Sequence, residues 1–325
     1  MKSPSRFENG RYRNRHSNAP HGLGGAIKWL WQSREEYRRF QPVHFDKARN
    51  DPAFLKANRS QPTLTWVGHA TFLLQIAGLN VLTDPVFSRR VSPFTFAGPE
   101  RLAPLGLTLE ELPPIDLVMV SHNHYDHLDE AAVQAIAKVH PQAVFVVPLG
   151  LQRWFIARGI TRVEERDWWQ SVTVGAARVT VLPCQHFSGR GAFDRNATLW
   201  CSQLLEVAGR KIYFAGDTGY SPEFAEIGAA FPGIDLALLP IGAYDPRWFM
   251  KSVHVDPAEA VQIFQDLRAR QAVAMHWGTF RLTLEPLDEP PQKLVAAMDA
   301  AGLARERFWV MQHGETRGLD YLLQP

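Results

Sequence analysis

Cysteine is scarce in this chain. Cys184 and Cys201 are the only two among 325 residues, too few for a disulfide scaffold, and no CxxC pair is available to build a thiolate metal site. Any bound metal must rest on histidine and carboxylate. Long hydrophobic runs are also missing: none approaches the roughly 18 apolar residues of a membrane-spanning helix, and the opening MKSPSRFENG lacks the apolar centre of a secretory signal. These absences predict a cytoplasmic, non-spanning protein. No short repeat and no low-complexity block is present, which excludes a solenoid.

What is present favours a packed protein. Hydrophobic residues make up 46% of the chain, with 10 Trp and 19 Phe, enough for one large core or two modest domains. The net charge of +2 conceals an asymmetry, because residues 1–60 carry 13 Lys and Arg against 5 Asp and Glu, whereas residues 61–325 carry 22 against 28. A basic front end therefore precedes an acidic body. Residues 1–60 read as an extension with short helices and few strand-like alternations, packing on a main domain of residues 61–325. Trp29, Leu30 and Trp31, beside Lys28 and Arg34, suit either anchors into that domain or a basic aromatic face touching a bilayer.

From Leu64 the segments LTWVG, TFLLQIAG and NVLTD predict consecutive strands of a meander. DLVMVSH is another β-rich run, and DEAAVQAIAKVH after it has helical spacing. A second strand-rich block covers ARVTVLPCQHF, TLWCSQLLEVAG and RKIYFAGDTG, followed by alternating helices and strands up to AVAMHWG. Each half thus places strands before mixed units, which predicts an α/β protein of two mixed sheets packed together with helices outside.

Chemistry concentrates at SHNHYDHL, residues 121–128. His122 and His124 are two apart, so an extended backbone sends both imidazoles to one side, while Asp126 and His127 follow where the strand has ended. His186 follows VTVLPCQ, Asp217 follows KIYFAG and His276 follows AVAM, so each stands at the end of an apolar run. Together these seven residues supply enough nitrogen and oxygen donors for a two-metal centre, with Asp217 a plausible bridge. The donor set suits zinc and leaves room for manganese or iron. Two such ions about 3.5–4 Å apart acidify water and hold an anionic oxygen, the chemistry of ester, amide, lactone or phosphodiester hydrolysis. His44, His140 and His313 read as structural or surface histidines. Ser121 lacks a G-x-S-x-G or triad context and reads as a locally bonded hydroxyl, and His69 in WVGHAT as a support for the site.

The pattern HNHYDHLD, with His186, AGDTG at 215–219 and His276, resembles the metallo-β-lactamase superfamily, an αββα sandwich with a dinuclear site between the sheet edges. The resemblance assigns His122, His124 and His186 to one metal and Asp126, His127 and His276 to the other, with Asp217 shared. Longer stretches, including FVVPLGLQRWF, FAGDTGYSPEFAEIG and PIGAYDPRWFMKSVHVDPAEAV, resemble the N-acylphosphatidylethanolamine-hydrolysing phospholipase D family over roughly residues 60–315. It implies a zinc phosphodiesterase acting on a phospholipid at a membrane surface, peripheral on its inner face, with Asp217, Asp126 and His254 serving the chemistry. His254 would contact substrate, and Tyr244 would lie near the pocket. The segment FSGRGAFDRNATLW after His186 and the basic extension depart from the family's mammalian sequences. Residues 11–39 are the expected lipid-facing surface. A hydrolase of soluble phosphodiesters or lactones and a non-catalytic metal-containing binding protein are the competing expectations. The acidic body argues against a nucleic-acid partner. Quaternary state is open, a homo-oligomer included.

Overall fold

The computed structural model describes residues 3–16, 24–25, 28–29, 33–34, 43–191 and 193–320. Two seven-stranded mixed sheets form its centre. The first runs, in spatial order, Thr316–Gly318, Thr63–Gly68, Thr71–Ile76, Leu79–Thr83, Leu117–Met119, Val144–Pro148 and Val163–Arg166. The second runs Phe308–Trp309, Gln271–Met275, Leu236–Pro240, Arg210–Phe214, Ser202–Val207, Ala177–Leu182 and Ser171–Val174. In each sheet an antiparallel meander passes into parallel strands. The predicted sandwich of two mixed sheets with flanking helices is therefore the observed architecture.

Strand side chains divide the core. Phe72 and Leu74 point into the apolar layer between the sheets, whereas Leu73 points outward under the helices, as a period of two requires. All three are essentially inaccessible. A strand buried on both faces reads as a continuous apolar run, which is why TFLLQI shows no alternation. Outside, the helix Glu130–Val139 starts at Asp129, whose side chain accepts from the backbone of Ala131 and Ala132. The helix Pro257–Asp266 starts at a capping box of Asp256 and Glu259.

The front end differs from its expected form. Arg6–Glu8 and Arg11–Arg13 pair as an antiparallel hairpin, turned by Asn9 and Gly10 with φ of 53° and 74°. Asn-Gly suits the two positive φ values of such a tight turn, a signal that outweighs the poor alternation around it. Trp29 stacks on Phe249 with ring centroids 5.7 Å apart, and the Lys28 ammonium lies over Trp248. Both observations support the anchoring reading of that segment. Leu30, Trp31 and residues 35–39 lie outside the described residues. Among the described residues no helix is long and apolar enough to cross a membrane.

Candidate metal centre

The site is assembled where strands stop. His69, Asp84, His122, His186, Asp217 and His276 each follow the end of a strand by one to four residues, drawn from both sheets. The chain must turn abruptly there, and His69, Asp84 and His276 adopt φ of 55°, 28° and 62°, the left-handed region that ordinary residues enter only under constraint. Glycine makes the remaining close approach possible. Gly216 has φ of 59°, and a Cβ there would lie 2.6 Å from that of Ser121, so only glycine lets the Asp217 turn meet the histidine motif.

The seven predicted ligands do converge. His122 Nε2 is 2.8 Å from His124 Nδ1, and His186 Nε2 is 3.3 Å from the same atom. These three with Asp217 form one cluster, and His69, Asp126, His127 and His276 form a second, the donor atoms of each lying within 4.8 Å of one another. Asp217 touches both: its Oδ2 is 3.7 Å from His186 Nε2 and 3.0 Å from His127 Nε2, and its Oδ1 is 3.0 Å from His276 Nε2. His254 stands at the margin, Nε2 4.0 Å from Asp217 Oδ2. His69 Nε2 bonds Asp126 Oδ2 at 3.1 Å, so it holds that carboxylate from within the second cluster. Tyr244 is buried with its hydroxyl donating to Glu289 at 2.6 Å, and it does not line the cleft beside Tyr125.

Outer partners fix which ring nitrogen faces inward. His186 Nδ1 donates to the Val253 carbonyl at 2.9 Å, leaving Nε2 for the cluster. His127 Nδ1 donates to Asp84 Oδ2 at 2.6 Å. His122 Nδ1 lies 2.9 Å from Ser121 Oγ, whose own hydroxyl donates to Asp84 at 2.5 Å. One fully buried carboxylate therefore orients two imidazoles. Ser121 thus bonds across 37 residues to Asp84, and its hydroxyl is spent on orientation. Asp84 was legible in principle, since NVLTD ends an apolar run in an acid just as KIYFAGD does.

Electrostatics test whether a cation fits. Burial pushes His122 and His186 well below the usual imidazole range, and His69 down to about 3 and His124 and His254 to about 4. Burial also opposes charge on His276, yet Asp217 and Asp126 overcome it and raise that imidazole to about 9; His127 is raised by the same carboxylates. For both carboxylates burial favours the neutral form, but the surrounding histidines hold them well below the usual carboxylate range. Neutral imidazoles facing one another at 2.8 and 3.3 Å cannot all be satisfied by shared protons, and two anionic carboxylates lie among them. Divalent cations satisfy both conditions, so the donor set fits a pair of metal ions.

Beside the motif, a cleft of about 690 Å³ is lined by Tyr125, Asp129, Trp154, Arg158, Arg190 and Phe94, among others. Arg158 stacks over Trp154 at 3.8 Å and Arg190 over Tyr125 at 3.9 Å. Arg190 Nη1 also donates to the carbonyls of Asn123 and Leu128, tying the loop after His186 to the motif. His313 is elsewhere: it stacks on Trp66 at 4.2 Å and pairs with Thr279 Oγ1 at 3.0 Å. His44 is exposed beside Asp46, and His140 caps a helix.

Comparison with known proteins agrees with this geometry. Residues 79–277 match the Beta-lactamase superfamily domain. The chain is 44% identical over 247 residues to N-acyl-phosphatidylethanolamine-hydrolyzing phospholipase D 1 of Caenorhabditis elegans, covering 73% of this chain and 69% of that one. It is 38% identical to the mitochondrial N-acyl-phosphatidylethanolamine-hydrolyzing phospholipase D of Saccharomyces cerevisiae, over 79% of this chain and 56% of that one. In fold it is similar to Igni18, a metallo hydrolase of Ignicoccus hospitalis, with a TM-score of 0.61 and 23% identity over 80% of this chain and 99% of the other. The chain belongs to the metallo-β-lactamase superfamily, as a metal-dependent hydrolase related to the N-acyl-phosphatidylethanolamine-hydrolyzing phospholipases D.

Proposed function

We infer that the protein is a dinuclear metal-dependent phosphodiesterase that hydrolyses N-acylphosphatidylethanolamine to N-acylethanolamine and phosphatidic acid. The observation that carries the reaction class is Asp217, one carboxylate in contact with two histidine-rich clusters. The substrate rests on the two relatives that bear this activity in their names and on a cleft whose arginines and aromatic rings suit an anionic amphipath. His122, His124 and His186 would hold one ion and Asp126, His127 and His276 the other, zinc being the first choice and manganese or iron compatible with the same donors. Such a pair supplies Lewis acidity and a water acidified to near neutrality.

The chain's own groups do the rest. Asp217 sits between the clusters and orients the attacking water by accepting a hydrogen bond from it. His254, neutral because burial holds it near 4, presents a ring nitrogen at the margin of the site for a phosphate oxygen. The water oxygen joins phosphorus, the bond from phosphorus to the ethanolamine oxygen breaks, and the water proton passes to the departing alkoxide. No covalent intermediate is needed. Lipid contact is better served by the cleft rim than by residues 11–16, of which Arg11, Tyr12, Asn14 and Arg15 bond to the rest of the protein. Phe96 and Phe193 are 80% and 90% exposed, and Phe94 stands beside Phe96.

The test is incubation with N-acylphosphatidylethanolamine in mixed micelles made with ¹⁸O-water, read by mass spectrometry. One heavy oxygen in phosphatidic acid, with unlabelled N-acylethanolamine, is expected. Absence of both products from protein carrying two metals would redirect the assignment to soluble phosphodiesters and lactones.

A further inference from the structure

The amino-terminal hairpin is fastened to a predicted metal ligand. Immediately after it, Asn14 Nδ2 donates to the His186 carbonyl at 2.9 Å, and Asn14 Oδ1 accepts from the His186 amide at 3.2 Å. A single side-chain amide thus satisfies both backbone groups of one residue, as a neighbouring strand would. The same oxygen accepts from Trp200 Nε1 at 3.1 Å, and Trp200 is almost fully buried, so the amide is gripped from behind. The hairpin itself is held at further points. Tyr12 exchanges bonds with Asn196 at 2.8 and 3.3 Å, Arg11 donates to the Phe193 carbonyl at 2.6 Å, and Arg15 pairs with Glu226 at 2.6 Å. The contacts of Tyr12 and Arg11 fall on the loop that begins at His186, whose far side is pinned by Asn123 and Arg190.

His186 needs such support. It follows a strand that ends at Leu182; Gln185 before it bridges Gly219, but the amide and carbonyl of His186 itself bond to Asn14, and the loop after it carries Arg190, Gly191 and Asp194 into the cleft wall. Val253 sets the ring's tautomer but not the position of its Cα. We propose that Asn14 is a positioning residue for the metal-ligating His186, a clasp that tunes one of the two metal positions. The clasp makes the basic front end part of the metal centre's framework. The proposal rests on the dinuclear reading above.

The experiment is zinc titration of the metal-free full-length protein against a chromophoric chelator, for the parent, Asn14→Asp, Asn14→Ala and Arg11→Ala. Outer-sphere partners of metal ligands are typically worth 10–100-fold in affinity. Asn14→Ala is therefore expected to weaken one zinc position by about 10–100-fold and leave the other unchanged. Asn14→Asp keeps the acceptor but turns a carboxylate oxygen toward the His186 carbonyl, so its loss should be at least as large. Arg11→Ala, which touches only the distal loop, should titrate like the parent. Parent-like affinity at both positions in Asn14→Ala overturns the proposal. So does an equal loss at both positions together with a lower melting temperature of the metal-free form, which would make Asn14 a general stabilising residue. Should the alanine variant fail to fold, Asn14→Asp decides: a several-fold loss at one position supports the clasp and none overturns it. A parent that takes up no zinc overturns the metal-centre reading instead.

Discussion

Two kinds of buried histidine occur among the described residues, and they differ in what faces their nitrogens. His313 is held in an aromatic layer against Trp66, with Thr279 on its Nε2, and burial followed by the nearby Arg101 pushes its imidazole down to about 3. His122 and His186 are as deeply buried and also kept neutral, yet their nitrogens converge on His124 and Asp217. Burial and a depressed imidazole are therefore common to a packing histidine and a ligand. Convergence of lone pairs around a shared carboxylate separates them.

The contrast breaks most sharply at the carboxylate. Asp217→Asn should lower turnover by about 10²–10³-fold or more and reduce bound metal below two per chain, read by steady-state assay and elemental analysis. Asp84→Asn leaves the inner donors in place but frees two rings, so metal affinity should fall about 10–100-fold, read by chelator competition. At His313 the expectation reverses: His313→Phe should leave metal content unchanged while lowering stability by about 1–3 kcal/mol as one of the bonds at Thr279 is lost, read by urea unfolding. Its pH dependence sharpens the point. The folded imidazole titrates near 3 and an unfolded one near 6.5, so protonation favours the unfolded chain. The stability tied to His313 is complete above about pH 6.5 and drains as pH falls toward 3, by about 1.4 kcal/mol per unit. Metal-free His313→Phe should lose less stability than the parent across that window. The smallest effect lies outside both sets. Phe94→Ser with Phe96→Ser should weaken binding to anionic vesicles by roughly 10-fold while metal binding stays at two ions per chain.

The converging residues were readable because His122, His186, Asp217 and His276 each stand just past an apolar run, and a strand end both fixes a side chain and exposes it. The histidine motif was further legible by its spacing alone. Asp84 carried the same signature but lacked a neighbouring histidine in sequence, so its role emerged only when folding brought it to His127 and Ser121. Asn14 had no signature at all, since its bonds to His186 span 172 residues. The hairpin before it was marked by Asn9-Gly10, although six strand residues rich in arginine obscured it. Pairing of Thr316–Gly318 with Thr63–Gly68 joins the two ends of the main domain, and no local pattern announces which distant edge a short strand will choose.

If Asp217 joins two metal positions in one chain, its loss must empty at least one of them. Elemental analysis of parent, Asp217→Asn and His313→Phe after saturation with zinc and removal of the excess reads this. Two ions in the parent and in His313→Phe, with fewer than two in Asp217→Asn, is the predicted result; two ions retained by Asp217→Asn, or fewer than two in the parent, would contradict it.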